Sequence, residues 1–205
     1  AAAAEALWKE RETHFLEPIF KGHYSPEAYE NIGHHLTTFK DGDMALISQE
    51  LDFWGVNFYS RHVISAEGEF VKVPSSEYTE MDWEVCAPSL RRMLVRLYQD
   101  YKLPPLYITE NGSAFKDEVS ADGKIHDSRR LDYFKQHLIQ TRLAMLDGAD
   151  VRGYFAWSLM DNFEWSFGYS KRFGLVHVDY KTQKRTIKDS GEWYAEVIRK
   201  NTVTE

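Results

Sequence analysis

Apolar and polar positions along the chain fall into alternating strand-like runs and helical stripes. Residues 2–15 carry Leu7, Trp8, Arg11 and Phe15 at helical spacing, in an alanine-rich context that favours a helix. Pro18, Gly22 and Pro26 then punctuate a stretch read as irregular. Residues 52–64 (DFWGVNFYSRHVI) are rich in aromatic and β-branched side chains and predict a buried strand running into a loop. Pro88 stands where a helix can begin, and Leu90, Leu94, Leu97 and Tyr101 follow on one face. Pro104 and Pro105 end that helix, and residues 106–109 predict the next short strand.

The same unit then repeats. Asp127 is placed to cap a helix whose stripe is Leu131, Phe134, Leu138, Arg142 and Met145, with Gly148 to end it. Residues 152–159 (RGYFAWSL) read as a third strand, followed by the aromatic loop MDNFEWSFGYSKRFG and a short strand-like segment over 174–180. A last helix from about Ser190 is expected to turn Trp193, Val197 and Ile198 towards the core. Alternating strands and helices predict an α/β fold with parallel strands and right-handed crossovers. In such folds the reactive groups gather at the carboxyl ends of the strands. NFYSRH, TENG and DNFEW each lie at such an end.

Composition narrows the class. The chain has 205 residues, 43% of them hydrophobic and 15% aromatic, enough for one sizeable core and a single domain over 1–205. A formal net charge of −7 argues against nucleic acid or an anionic membrane as partner. The pairs Arg91-Arg92 and Arg129-Arg130 read as solvated helix faces and turns. No apolar run approaches the ~20 residues that span a bilayer. The single cysteine, Cys86, rules out an internal disulfide, and with no secretory signal the expected location is cytoplasmic.

The chemistry concentrates at the strand ends. Glu110, Tyr59, Trp157, Glu164 and Trp165 are expected to converge. Aromatic faces beside carboxylates suit a sugar, whose C–H faces stack on rings and whose hydroxyls need acceptors. A carboxylate nucleophile fits the same picture, because glycoside hydrolysis passes through an oxocarbenium-like transition state. No C-x-x-C, H-E-x-x-H or P-loop pattern occurs, so neither metal nor cofactor is expected. His34 and His35 are adjacent and point apart in regular structure, and His62 reads as structural at least as readily as functional. Asn111-Gly112-Ser113 matches a glycosylation acceptor by chance.

LYITENG, DFWGVNFYS, EYTEMDWEV and the long run from Arg152 to Tyr194 resemble the closing portion of family-1 glycoside hydrolases, the retaining β-glucosidases and β-galactosidases. The resemblance implies part of a (β/α)8 TIM barrel, with these strands as its sixth, seventh and eighth. It implies Glu110 as nucleophile, Tyr59 as the donor that aims it, and Asn57 nearby. It further implies Trp157 as the platform under the sugar, Glu164 and Trp165 at its outer hydroxyls, Phe173 lining the pocket, and Trp83 on the leaving-group side. The phospho-sugar branch of that family carries serine in place of Glu164. Lys171 is present, but Phe173 replaces the phosphate-binding tyrosine, so plain sugars are favoured.

One element of the mechanism is missing. The family's acid/base lies in a T-N-E-P motif, and the only Glu-Pro pair here, Glu17-Pro18, does not match it. The first five strands are absent as well. The expectation is therefore a C-terminal piece that needs an N-terminal complement, or self-association, to close its barrel, and that aggregates or stays molten without one. A non-catalytic sugar-binding module and a barrel-assembly unit remain as alternatives.

Overall fold

The computed structural model of the protein describes residues 2–32 and 40–203. His34 and His35 lie outside the described residues. Helices α1 (Ala2–Arg11), α2 (Thr13–Phe20), α3 (Pro26–Ile32) and α4 (Asp43–Ile47) precede strand β1 (Trp54–Asn57). Helix α5 (Ala87–Asp100) leads to β2 (Leu106–Asn111), and α6 (Ser128–Leu146) leads to β3 (Val151–Ala156). The three strands pair in parallel in the order β1-β2-β3, as the strand–helix alternation predicts. Beyond them β4 (Val176–Val178) and β5 (Arg185–Ile187) form a short antiparallel pair, and α7 (Asp189–Lys200) closes the described chain.

The core lies on one face of the sheet. Leu90, Leu94, Leu97 and Tyr101 of the α5 stripe pack on Val56, Leu106, Ile108 and Val151. Each such large apolar side chain, fully buried, stabilises the fold by about 1.5–3 kcal/mol. Along β2, Leu106 and Ile108 are buried while Tyr107 and Thr109 alternate to the other face. That face is bare: the ring of Phe53 meets Tyr107 at 5.6 Å, and Phe53 and Phe155 are 56% and 57% exposed. Gly153 keeps β3 close to β2 there, because a Cβ on it would stand 2.4 Å from the Tyr107 ring.

Several helix expectations need correction. The predicted N-terminal helix breaks at Glu12, and Pro18 lies inside α2 instead of in an irregular stretch. On α6 the buried positions are Arg130, Tyr133, Phe134, His137, Thr141 and Ala144; of the predicted stripe only Phe134 is among them. Arg142 is exposed, and Leu138 and Met145 edge a groove with Val151, Tyr154 and Val197. Arg130 is fully buried, contrary to the solvated reading. Its guanidinium meets Asp117 at 2.9 Å and Asp127 at 2.5 Å, so it is paired and not stranded. Asp127 stands at the N-cap of α6 as expected, but its side chain makes no capping bond; its carboxylate accepts from the Ser190 backbone N–H at 2.8 Å and so serves the first turn of α7. Val197 is buried, but Ile198 is 65% exposed because it falls on the outer side of α7.

Candidate active site

The carboxyl ends of β1, β2 and β3 bring together most of the side chains singled out above. Register pairs Asn57 with Glu110, so the ends of β1 and β2 finish side by side. Two residues past β1 the Tyr59 hydroxyl donates to the Glu110 carboxylate at 2.5 Å. Burial, then this bond, then the charges of Glu110 and Glu164 push the Tyr59 phenol far above the usual tyrosine range. It therefore stays a donor at any working pH. Asn57 is turned to Thr109, whose hydroxyl donates to its side-chain oxygen at 2.7 Å.

Aromatic rings pack around that pair. Trp83 lies 5.1 Å from Tyr59, and Phe173 lies 6.1 Å from Tyr59 and 6.2 Å from Trp83. Phe173 is only 1% exposed and forms the floor of the group. Trp157 follows β3; its main-chain N–H donates to the Asn111 carbonyl at 2.8 Å, and its peptide bond to Ser158 is cis. Gly112 makes this crossing possible, since a Cβ there would lie 1.7 Å from the Trp157 carbonyl oxygen. Burial raises Glu164 above the usual glutamate value, the neighbouring Trp157 side chain pulls it down, and the charge of Glu110 adds to the rise. Trp165 is different: it is 81% exposed and makes no ring contact with the described residues. His62 faces Phe70 at 4.8 Å instead of the carboxylates.

Beneath this mouth lies a lattice of charges that sequence reasoning missed. Lys188, fully buried, donates to Asp117 at 2.6 Å and to Asp161 at 2.9 Å. Asp161 also accepts from Arg172 at 2.5 Å and from the main-chain N–H groups of Gly174 and Val178. Burial pushes Asp161 up, but Lys188 and Arg172 outweigh it and hold the carboxyl below the usual range. Arg130 donates to the carbonyls of Ser113 and Arg172, joining the loop after Glu110 to the loop before Phe173. A signal for Arg130 did exist. Positions 130, 134, 137 and 141 step by four, three and four, so they share one helix face.

Two sequence-level dismissals agree with the geometry. Asn111 is fully buried, and its amide donates to the Phe58 carbonyl at 2.7 Å, which leaves no room for a glycan. Glu17 is bound by the Ser25 N–H at 3.0 Å and Lys21 at 3.2 Å. Burial raises it, yet these bonds bring it below the usual glutamate value, the wrong direction for a proton donor near neutral pH. Among the described residues no cluster of His, Cys, Asp and Glu could hold a metal ion, and no helix is long and apolar enough to cross a membrane.

Comparison with known proteins places the site in context. The family model for "Glycosyl hydrolase family 1" matches residues 1–203. A 1,4-beta-D-glucan glucohydrolase of Thermotoga neapolitana is 45% identical over 197 residues, covering 93% of this chain and 44% of that protein. A beta-glucosidase of Agrobacterium sp. is 44% identical over 202 residues, covering 94% and 44%. A beta-glucosidase from Thermotoga maritima, solved in complex with castanospermine, superposes with a TM-score of 0.92 at 41% identity, over 100% of this chain and 47% of that one. The chain thus spans less than half the length of these relatives, and its fold is part of a TIM barrel.

Proposed function

The chain belongs to glycosyl hydrolase family 1, and from that premise we propose that it is the C-terminal part of a retaining β-glucosidase, within one barrel domain whose sixth, seventh and eighth strands are β1, β2 and β3. The observation that carries this reading is the Tyr59–Glu110 contact of 2.5 Å at the ends of two adjacent parallel strands. Among the described residues neither Glu110 nor Glu164 enters an ion pair, so both remain available to a neutral polyhydroxylated ligand.

In the proposed reaction a β-glucoside stacks on Trp157 and its outer hydroxyls donate to Glu164. Glu110 attacks the anomeric carbon, the bond to the leaving oxygen breaks, and a covalent glycosyl-enzyme forms. Tyr59 holds the attacking carboxylate in line until then. Water later attacks the same carbon, losing its proton to the carboxyl group that first acted as acid, and frees Glu110. Proton transfer to the leaving oxygen needs a second carboxyl group about 5–5.5 Å from the nucleophile. Glu164 is assigned to the outer hydroxyls of the sugar, and Glu17 is bound by Ser25 and Lys21. We therefore assign the acid/base to residues outside these 205, supplied by an N-terminal complement of the barrel. The bare sheet face with Phe53 and Phe155 supports the same conclusion, because it offers that complement an apolar seat.

The test assays the chain on a chromogenic β-glucoside, alone and assembled with an N-terminal barrel half. Activity is expected only in the assembled form and is expected to vanish with Glu110→Gln. Full activity of the chain alone would overturn the division of the two carboxyl groups. Activity surviving Glu110→Gln would overturn the nucleophile.

A further inference from the structure

Behind the mouth, one buried hydroxyl meets both strand ends that carry the Tyr59–Glu110 pair. Tyr133 stands on the first turns of α6 and is 1% exposed. Its hydroxyl donates to the Tyr59 main-chain carbonyl at 3.0 Å and accepts from the Asn111 amide at 3.1 Å. Asn111 and Gly112 directly follow Glu110, and Asn111 also holds the Phe58 carbonyl at 2.7 Å. The hydroxyl of Tyr154 completes Asn111 by donating to its side-chain oxygen. The ring of Tyr133 is fixed in turn, stacked on His137 at 3.9 Å and edge-on to Phe134 at 5.9 Å.

We propose that Tyr133 is a positioning residue for the nucleophile: it pins the backbone of Tyr59 to the backbone that follows Glu110 and so sets the contact between their side chains. The physical case rests on what else could do this. The β1–β2 ladder is irregular between Val56 and Asn57, just before the pair, so strand hydrogen bonding does not fix the spacing there. The Phe58 N–H does bond the Glu110 carbonyl at 2.9 Å, but that leaves the Tyr59 carbonyl unheld. Tyr133 supplies that hold, from a 19-residue helix that is itself packed against α5 and α7. Because Tyr59 must aim Glu110 to within a few tenths of an ångström, a small backbone shift matters more to reaction than to sugar binding.

The inference rests on Glu110 being the nucleophile, and the experiment separates the two. In the active assembled enzyme, kcat and KM are measured for Tyr133→Phe, Tyr59→Phe, the double variant, Glu110→Gln and the control Tyr194→Phe. Tyr194 is a comparable partly buried tyrosine whose hydroxyl donates to the Tyr154 carbonyl at 3.1 Å. Tyr133→Phe is expected to lower kcat about tenfold, the effect of one lost hydrogen bond that acts on the reacting complex, with KM changed less than twofold. The double variant is expected to match Tyr59→Phe alone, because Tyr133 acts through Tyr59. Tyr194→Phe is expected to leave kcat within twofold of the parent. If the two losses multiply, or if KM rises as kcat falls, Tyr133 is only a packing residue and the proposal is wrong. If Glu110→Gln retains activity, the reading of the site fails and takes this inference with it.

Discussion

Carboxylates occur in two contrasting settings only a few residues apart. In the lattice under the mouth, Asp117, Asp127 and Asp161 each contact a buried or half-buried cation among Arg130, Lys188 and Arg172. At the mouth Glu110 accepts from the neutral hydroxyl of Tyr59 and Glu164 neighbours the neutral Trp157, and among the described residues neither enters an ion pair. The difference matches the roles proposed for these groups. A buried charge that never reacts needs an opposite charge, since losing it would leave an ion in a low dielectric. A carboxylate that must attack a carbon and stabilise a positive transition state would be weakened by a permanent cation. Neutral donors aim such a group without cancelling it.

The sharpest way to break this contrast is at the mouth. Glu110→Gln keeps the shape and the acceptor for Tyr59 but removes the charge. Its kcat in the assembled enzyme is expected to fall on the order of 10⁴-fold or more, while its thermal midpoint stays near that of the parent. Steady-state assay beside a melting curve checks both halves. A large drop in melting temperature would mean that Glu110 belongs with the structural carboxylates after all.

In the lattice the opposite pattern is expected. Lys188→Met removes one cation that faces two buried carboxylates, and breaking such a pair costs about 3–5 kcal/mol. Denaturant unfolding should show the loss directly. Lys188 makes no contact with Glu110 or Glu164, so any remaining folded enzyme should bind sugar with a KM close to that of the parent. A loss below about 1 kcal/mol would show that the lattice is no more than a set of solvated pairs.

What could be read in advance divides along the same line. The strands and the gathering of Glu110 and Tyr59 at their ends were legible because they depend on short-range pattern, an apolar run and then a polar cluster. The bond between the two was implied only by the resemblance to family-1 glycoside hydrolases. The lattice was not legible. The spacing of Arg130 with Phe134, His137 and Thr141 marks a shared helix face, but its partners Asp117, Ser113 and the Arg172 carbonyl arrive from other segments that no local pattern announces. Lys188 and Asp117 are likewise drawn together only by tertiary structure. The α6 stripe failed for a related reason: a buried helix face lined by Arg130, His137 and Thr141 carries polar atoms that are satisfied locally, so it does not register as apolar. The break between α1 and α2 gave no warning in composition either.

Stability against pH gives a second test, now of sign. The pKa of His137 is lowered to about 4, chiefly by burial, with the Tyr133 carbonyl on its Nδ1 working against that. Below its unfolded pKa near 6.5 the unfolded chain takes up a proton that the folded chain refuses until about 4. Stability is therefore expected to fall by about 3 kcal/mol as pH drops through that window, and His137→Gln should abolish that fall. Glu164 and Asp161 should differ in direction. The lowered pKa of Asp161 adds stability above its unfolded value near 3.8, lost as pH falls. Glu164 has a raised pKa, so its contribution weakens the fold as pH rises past about 4.5. Glu164→Gln should remove that decline, and Asp161→Asn should remove the gain. The same sign for both variants in pH-dependent unfolding would erase the distinction between mouth and lattice.

The smallest effect is expected where a pair lies in water. Arg152, at the start of β3, meets Asp150 at 2.8 Å with the two side chains 56% and 49% exposed. Screening and side-chain entropy limit such a pair to about 0–1 kcal/mol, so Arg152→Ala should barely move the unfolding of the chain by itself. The same substitution in the assembled enzyme asks a different question. If a complement covers the open edge and bare face of the sheet, the pair passes from solvent towards a buried setting, and its removal becomes costly. A cost that grows on assembly would place the complement over the start of β3. An equal and small cost in both states would mean that the complement leaves this end of the sheet in water.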